Sequence, residues 1–452
     1  MKKIKINFST THIILFSFFI AIFIGSVLLM LPVSSVNGEV TPFIDALFTA
    51  TTATCVTGLV VVPTVTYWSW FGQAVILVLI QIGGLGIITV LSAITVFFHK
   101  KFGISDRILI QDAFNLNTLS GLVAFIKKVV KGTFIVEAIG ALAYMTVFVP
   151  QFGAKGVWIS VFNSVSAFCN AGIDVIAPNS LCNYANNPII NIVTCLLIIL
   201  GGIGFIVWWD VIRVAKLRKT RKIKFFKSLT LHSKIAITST LVLIVIGAVV
   251  IYLYEYNNPL TFKDYTFFEK IQGAVFQSVT TRTAGFATVP QENLTEGAAT
   301  FSLLLMFIGG SPVGTAGGVK TVTFAVLLAS AIASVKNKNE VSLFDRNISK
   351  YAISKAIAVV AMSFAIMFIS SLLLLAVTDA SALDVLYETV SATATVGLSR
   401  NLTSSLNTLG KIIIAATMYL GRIGPISLAV ALNLKKQNQN IIKNPTEDIS
   451  VG

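Results

Sequence analysis

Apolar segments with the length of a membrane-spanning helix alternate with short polar segments along most of the chain. One helix that crosses a bilayer needs about 20 apolar residues. The segments that fit this length fall into four consecutive pairs: 11–33 and 70–98, 129–150 and 188–213, 233–254 and 299–335, and 352–377 and 409–434. The pattern predicts an all-α polytopic membrane protein with eight spanning helices.

The first apolar segment follows a basic start, as a signal peptide would. However, residues 6–38 contain no Asp, Glu, Lys or Arg and end in LPVSSVNG, without a clear cleavage site. We therefore interpret this segment as a retained spanning helix.

A second kind of uncharged segment is too polar to face lipid. Residues 46–99 form 54 residues without an Asp, Glu, Lys or Arg, and the first part, ALFTATTATCVTGL, is rich in Thr. This part fits a short re-entrant helix that ends in irregular backbone. Membranes tolerate such backbone only where it lines a water-filled cavity.

Related segments occur four times at nearly constant spacing. The first segment, ALFTATTATCVTG, ends at Gly58. The next three are SVFNSVSAFCNAG, AVFQSVTTRTAG and VLYETVSATATVG, which end at Gly172, Gly285 and Gly397. The spacings between successive glycines are 114, 113 and 112 residues. Each glycine is followed after 24 to 29 residues by a second landmark: GGLG at 83–86, GGIG at 201–204, GGSP at 309–312 and GRIG at 421–424. Internal repeats of this kind define the architecture of a chain.

We therefore expect four tandem repeats around one central pore. Each repeat would consist of a spanning helix, a short pore helix with a re-entrant turn, and a second spanning helix. The predicted boundaries are 1–98 for the first repeat, 99–215 for the second with its preceding cytoplasmic loop, 216–335 for the third, and 336–452 for the fourth with a cytoplasmic tail.

The charge distribution sets the expected orientation. The chain carries 34 basic and 19 acidic residues, for a net charge of +15. In a soluble protein this excess would suggest nucleic acid, but most of the Lys and Arg residues lie in five short segments: 2–5, 100–131, 213–234, 336–355 and 435–443. Short basic loops stay in the cytoplasm. Both termini are therefore predicted to be cytoplasmic, in a multi-pass protein of the cell inner (cytoplasmic) membrane, with the lipid bilayer and not nucleic acid as partner.

Four turns on one axis suit a dehydrated cation. A ring of backbone carbonyls can replace the water shell of the ion where a glycine allows unusual φ angles. The C-terminal end of each pore helix adds partial negative charge, and Asp45 and Asp384 are the candidate N-caps at the other end. Helix packing through small residues is the alternative explanation of the glycines.

Membrane-embedded catalysis has no support in the sequence. The three histidines, His12, His99 and His232, lie at predicted helix ends, and no HExxH or paired Asp motif occurs. We therefore expect no enzyme, no transition-metal site and no cofactor bound by this chain. The four cysteines predict no disulfide framework. A rocking transporter with inverted repeats is disfavoured, because the four repeats have the same orientation.

The second spanning segment of the third repeat, 299–335, is interrupted by GGSPVGTAGG at residues 309–318. We call this segment loop 309–318. Its glycines and proline predict an irregular loop with free carbonyls that lies across the pore as a gate; a plain helix kink is the alternative. GTAGGVKT at 314–321 is not a phosphate-binding loop, because Val319 separates the glycines from the lysine.

Three further charged residues lie within apolar segments. Lys320 and Arg422 are expected to face the pore below the turns and to hold loop carbonyls, with snorkelling to the surface as the alternative for Lys320. Glu137 is expected either to pair with a neighbouring repeat or to lie near the inner interface.

The four glycines, the GGLG and GGIG helices, VTTRTAGF and the broken third inner helix together resemble the Trk/Ktr/HKT superfamily of potassium transporters, over nearly the whole chain. The chain is most similar to the membrane subunits of bacterial Ktr systems, since it starts directly at the first repeat. The resemblance implies a selectivity filter built from four segments, which we call the filter segments: Cys55, Val56, Thr57 and Gly58; Cys169, Asn170, Ala171 and Gly172; Arg282, Thr283, Ala284 and Gly285; and Ala394, Thr395, Val396 and Gly397. Gly58, where sodium-selective plant members have serine, favours potassium. The third repeat is one residue shorter between Phe276 and Gly285 than the other repeats are over the same stretch, which leaves the register of its filter segment open.

The resemblance also implies a gate, a cargo and partners. The gate residues would be Gly309, Gly310, Ser311, Pro312, Gly314, Thr315, Gly317, Gly318, Lys320 and Arg422. Potassium would be the transported ion, sodium a candidate coupling ion, and a Trk-type transporter of different coupling the alternative. The membrane subunit would form a homodimer, with the tail 435–452 as a candidate contact. A KtrA-like ring of cytoplasmic, nucleotide-binding regulatory subunits would dock on the basic loops 213–234 and 336–355, which contact anionic lipid in the alternative interpretation.

Overall fold

The computed structural model describes residues 10–97, 121–221, 224–338 and 340–424. Within these ranges, four helices are long and apolar enough to cross a membrane, or up to six if each of two bent helix pairs counts as one span. The basic segments 2–5 and 435–443, most of the loop 99–128 with His99, and the tail lie outside the described residues.

The first group of helices contains a sharp bend. Its members are α1 (Thr10–Met30), α2 (Phe43–Cys55), the short α3 (Thr64–Tyr67), α4 (Trp70–Leu85) and α5 (Ile87–Phe97). Helices α4 and α5 meet at 96° at Gly86, whose φ of 84° lies in the region that glycine favours. The predicted span 70–98 therefore consists of two helices with a sharp bend between them and is not one straight helix.

The second group repeats this order and this bend. It contains α6 (Leu122–Phe152), α7 (Ala154–Cys169), α8 (Pro188–Gly202) and α9 (Phe205–Arg221), followed by the short α10 (Phe225–Ser228). Helices α8 and α9 meet at 95° at Gly204, where φ is 93°. The predicted span 188–213 is bent in the same way.

The third and fourth groups have the same order of elements. The third contains α11 (Leu231–Glu255), α12 (Phe267–Thr280), α13 (Glu296–Phe307) and α14 (Thr321–Val335), with non-helical residues between α13 and α14. An antiparallel hairpin of β1 (Ser342–Leu343) and β2 (Arg346–Asn347) follows. The fourth contains α15 (Lys350–Leu375), α16 (Ala382–Ala394) and α17 (Thr408–Ile423). Residues 425–434 of the predicted last span lie outside the described residues.

Short helices form the centre of the fold and long helices its outside. The C-terminal parts of α2, α7, α12 and α16 are almost entirely buried. The long helices expose apolar side chains instead, among them Phe19, Leu142, Leu241 and Phe364. A soluble protein seldom exposes so much apolar surface, so this arrangement suits a lipid environment.

The two predicted N-caps are wrong. Pro42 precedes α2, and Ser381 caps α16 by accepting a hydrogen bond from the Asp384 backbone N–H at 3.2 Å. The carboxylates of Asp45 and Asp384 lie in the first helical turn, where the helix dipole also favours negative charge. Each forms an ion pair, Asp45 with Lys411 at 2.6 Å and Asp384 with Arg400 at 2.7 Å.

Candidate functional site

The four repeat glycines meet in a closed ring of backbone. Gly58, Gly172, Gly285 and Gly397 have φ values of 98°, 67°, 82° and 97°. A Cβ on each of them would overlap the carbonyl that precedes the glycine of the next group: Ala171, Ala284, Val396 and Thr57 in turn. No side chain fits this ring, which we call the glycine ring.

The residue two positions before each glycine has a left-handed backbone. Val56, Asn170, Thr283 and Thr395 have φ values of 55°, 58°, 69° and 51°. The third filter segment therefore keeps the common register at Thr283 and Gly285. The residue that the third group lacks relative to the other groups therefore lies before Thr283. Helix α12 ends at Thr280, five residues before the glycine, whereas α2, α7 and α16 end three residues before theirs.

Four hydroxyl residues that the sequence did not single out support the filter segments. Thr52 and Ser391 accept hydrogen bonds from the backbone N–H of Gly58 and Gly397, at 2.9 and 3.0 Å. Ser166 and Thr280 donate instead to the carbonyls of Ile173 and Phe286, at 2.5 and 2.6 Å. The available signal was a Ser or Thr six residues before three of the glycines and five before Gly285.

The second landmarks are packing positions. A Cβ on Gly83, Gly201 or Gly421 would overlap a backbone carbonyl at the end of the short helix in the same group. These carbonyls belong to Thr54, Phe168 and Thr393, each four residues before its ring glycine. The small-residue interpretation therefore applies to this set of glycines.

Loop 309–318 packs against the filter segments and contacts two other groups of helices. The backbone N–H of Ser311 and Thr315 donate to the carbonyls of Gly202 and Gly201, at 2.8 and 3.1 Å. The Thr315 hydroxyl donates to the Phe168 carbonyl at 3.0 Å.

On its other side, the loop touches the fourth group. Gly317 lies directly against Thr395, and a Cβ on Gly318 would contact Ala394. Gly309 and Gly310 begin the loop and pair with Val319 and Thr321, while Gly314 packs on Gly201.

Three basic side chains donate to carbonyls of the loop. Lys320 Nζ donates to Ala316 at 2.5 Å. The guanidinium of Arg422 donates to the carbonyl of Thr315 at 2.7 Å and to the carbonyl of Gly83 in α4 at 2.5 Å. Arg282 donates to Gly309 at 3.2 Å. None of the ion pairs among the described residues involves these three cations, so carbonyl dipoles are their observed partners.

Two cavities border this assembly. One, of about 480 Å³, is lined by all four ring glycines together with residues that follow them, including Asp174 and Ser399. The other, of about 320 Å³, is lined by Pro312, Gly317, Gly318, Lys320 and Arg422. The two cavities share no lining residue.

Glu137 pairs with a neighbouring group, one of the two alternatives that the sequence left open. Gln81 of α4 donates to its carboxylate at 3.4 Å, and the Cys169 thiol lies 3.9 Å from it. All four cysteines are free.

Comparison with known proteins identifies the class. The family model for TrkH, described as a cation transport protein, matches residues 1–443. The chain belongs to this family of cation transport proteins, within the superfamily that its motifs resemble.

Individual relatives are similar over almost their full length. The chain is 40% identical to the Ktr system potassium uptake protein B of Bacillus subtilis, over 100% of this chain and 99% of that one. It is 37% identical to the potassium/sodium uptake protein NtpJ of Enterococcus hirae, with the same coverage. The crystal structure of the potassium transporter TrkH from Vibrio parahaemolyticus matches with a TM-score of 0.74 at 15% identity, over 96% of this chain and 86% of that one. The last match establishes the fold.

The hydroxyl of Ser391 should stabilise the fourth filter segment. Ser391→Ala leaves the Gly397 N–H without its partner, and an unsatisfied buried donor costs about 1–3 kcal/mol. We expect a lower thermal unfolding midpoint for the purified protein. Ser391→Thr is the matched control, because Thr52 occupies the corresponding position in the first group. Equal midpoints for the Ala and Thr variants would contradict this role.

Proposed function

We propose that this chain is the potassium-translocating membrane subunit of a bacterial Ktr-type potassium uptake system. The observation that carries the proposal is the glycine ring, in which four carbonyl-bearing turns meet at one point. The names of the relatives support the choice of ion, since Ktr system potassium uptake protein B is 40% identical over the whole chain.

The proposed architecture is four repeats around one pore, with the boundaries expected from the sequence. In each repeat a long outer helix precedes a buried pore helix (α2, α7, α12 or α16), and an inner helix follows. Eight spans result if α4 with α5, α8 with α9, and α13 with α14 are each counted as one broken span. The inner helices bend where they meet the cytoplasmic side, and both termini are cytoplasmic.

The filter segments would select the ion through backbone carbonyls. A cation that loses its water shell needs a ring of oxygen dipoles, and the glycine ring leaves no side chain between the four turns. The pore helices point their C-terminal, partially negative ends at the same place. None of the four segments is TVGYG, so the multi-site filter of potassium channels is not part of the proposal.

Loop 309–318 would be the gate. It packs against Thr395 of the fourth filter segment and lines the cavity of about 320 Å³. Arg282 and Arg422 each donate one hydrogen bond to its carbonyls, and Lys320 donates to those of Ala316 and Gly317. Loss of these side-chain bonds should weaken the attachment of the loop, which the backbone bonds of Ser311 and Thr315 to Gly202 and Gly201 also hold. Lys320 contacts the loop itself, which argues against snorkelling to the surface.

Coupling to sodium is the second candidate. The relative NtpJ is named a potassium/sodium uptake protein and is 37% identical over the whole chain. The same pore would then conduct or be driven by sodium. The ratio of rubidium to sodium uptake in vesicles distinguishes the two functions.

A gate requires binding energy from a partner that prefers one state. We propose a cytoplasmic, nucleotide-binding ring of regulatory subunits that docks on loops 213–234 and 336–355, and a homodimer of the membrane subunit. The hairpin β1–β2 and Phe226, whose ring contacts Phe344, bring these two basic loops together. The "system" in the names of the Ktr relatives agrees with a multi-subunit assembly.

Co-expression with the soluble subunit of a Ktr system tests the partner. We expect the two to co-purify, and charge reversal of Lys216 and Lys219 together should weaken the complex. Charge reversal of Lys155 and Lys263, which lie outside the basic loops, is the control. A monomer that responds to nucleotide without any partner would contradict the proposal.

Substitution of Gly58 tests the filter. Gly58→Asp places a side chain against the Ala171 carbonyl and the Cα atoms of Gly172 and Gly397. It should abolish growth of a potassium-uptake-deficient host on low potassium and lower rubidium flux into vesicles. Gly58→Ser should lower the preference for potassium over sodium. Gly38→Asp is the control, since this glycine also has positive φ but an open surrounding. Uptake by Gly58→Asp that equals the wild type would refute the filter.

Deletion of residues 311–316 tests the gate. We expect faster rubidium uptake with largely intact ion preference and with little control by the partner. Arg422→Ala should be a partial version, because a hydrogen bond to a charged group contributes about 1.5–3 kcal/mol, or roughly ten- to a hundred-fold in the ratio of closed to open states. A folded deletion variant that transports no faster, and still responds to the partner, would reduce loop 309–318 to a helix kink.

A further inference from the structure

Arg282 differs from the residues at the same position of the other filter segments. Three residues before the glycine, the other segments have Cys55, Cys169 and Ala394, which are buried and uncharged. Arg282 is also buried, with 7% of its surface exposed. A buried charge is costly unless it is well paired. The position therefore calls for a specific explanation.

The guanidinium of Arg282 connects three elements. Its own backbone follows the C-terminal end of α12, where the helix dipole favours a cation. Nη2 donates to the carbonyl of Gly309, the first residue of loop 309–318, at 3.2 Å, and Nη1 donates to the carbonyl of Thr240 in α11 at 3.4 Å. The side chain therefore joins a filter segment, the start of the loop and an outer helix.

A small cavity completes these surroundings. It has a volume of about 20 Å³ and is lined by Arg282, Thr240 and Gly310 together with apolar residues such as Ile198 and Val279. Arg282 Nε and Thr240 Oγ1 are buried and have no hydrogen-bond partner within the protein. One water molecule requires about this volume and two to four polar neighbours.

We propose that Arg282 is a positioning residue that couples the third filter segment to loop 309–318, with one water molecule bridging its Nε to Thr240. The inference rests on the proposed filter and gate. While the loop is in place, the Gly309 carbonyl holds the guanidinium, and the guanidinium holds the backbone next to Thr283. When the loop leaves, that bond breaks and the filter segment loses a support. Ion preference therefore depends on the state of the gate.

Arg422 provides the contrast. It also donates to a loop carbonyl, but its second bond is to Gly83 of α4, and it belongs to no filter segment. Loss of Arg422 should affect the loop alone. Loss of Arg282 should affect both the loop and the ion preference.

The experiment compares full-length variants in vesicles of bacterial polar lipid, without and with the soluble Ktr subunit. Rubidium uptake and its competition by sodium are measured for wild type, Arg282→Gln, Arg282→Lys, Arg422→Gln and Thr240→Val. We expect Arg282→Gln to raise uptake without the soluble subunit about ten-fold or more and to lower the rubidium preference. Arg422→Gln should raise uptake at unchanged preference. Arg282→Lys should be intermediate, because an ammonium group lacks the planar fork.

Thr240→Val tests the bridging water with little change of side-chain shape. A neutral hydrogen bond contributes about 0.5–1.5 kcal/mol, so we expect roughly a two- to ten-fold rise in uptake without the soluble subunit. Uptake and preference that equal those of the wild type would refute the water bridge. This variant and Arg282→Lys also keep the proposal testable if Arg282→Gln does not fold.

A combination with the loop deletion decides whether Arg282 acts through the loop. In the variant that lacks residues 311–316, Arg282→Gln should raise uptake no further. An additive rise, or an Arg282→Gln protein with unchanged uptake and preference, would overturn the coupling. Hydrogen exchange of the 305–320 backbone is measured in parallel and should be faster in Arg282→Gln than in the wild type; equal exchange would also overturn it. If the wild type takes up no rubidium, the proposed function fails, while the exchange comparison still tests the contact itself.

Discussion

The close approach of backbone to backbone at the glycine ring is the constraint on which the rest of this structure depends. Four chain segments can place their carbonyls around one point only if no Cβ lies between them, and each ring glycine faces the carbonyl of the next segment. The backbone must also turn at the residue two positions before, and all four residues there have left-handed φ values. The hydroxyls of Thr52, Ser166, Thr280 and Ser391 satisfy backbone groups that this turn would otherwise leave unpaired.

The sequence was sufficient to predict this centre because glycine is the one residue that close approach requires. Constant spacing along the chain identifies the four ring glycines. The second landmark, at a similar distance after each of them, identifies Gly83, Gly201 and Gly421. The bends of about 95° at Gly86 and Gly204 could not be predicted in the same way, because an apolar helix of about 28 residues also fits a straight span. The N-cap prediction for α16 was wrong for a related reason. Asp384 and Ser381 are both favourable N-cap residues, and only the backbone geometry decides between them.

The particular carbonyl that each buried cation contacts could not be predicted. The sequence places Lys320 and Arg422 in apolar surroundings, and their partners are backbone carbonyls of an irregular loop. The sequence indicated that the two cations hold carbonyls of loop 309–318 but not which carbonyls, because the fold decides which residues approach each other. The physical reason for the pairing is nevertheless simple, since a loop without helical hydrogen bonds has unsatisfied acceptors and a buried cation has unsatisfied donors. Each group removes the cost of the other, without a carboxylate that would itself attract the transported ion.

The one missing residue of the third repeat connects these observations. Because α12 ends two residues earlier than its counterparts relative to the ring glycine, the chain at Thr281 and Arg282 leaves the helix before the common turn begins. The side chain of Arg282 then extends from the end of α12 to the carbonyls of Thr240 in α11 and of Gly309. In the other three groups, Gly83, Gly201 and Gly421 lie directly against a carbonyl at the end of the short helix. The third group instead has a hydrogen bond from a charged side chain to Gly309, and it is also the group that contains loop 309–318.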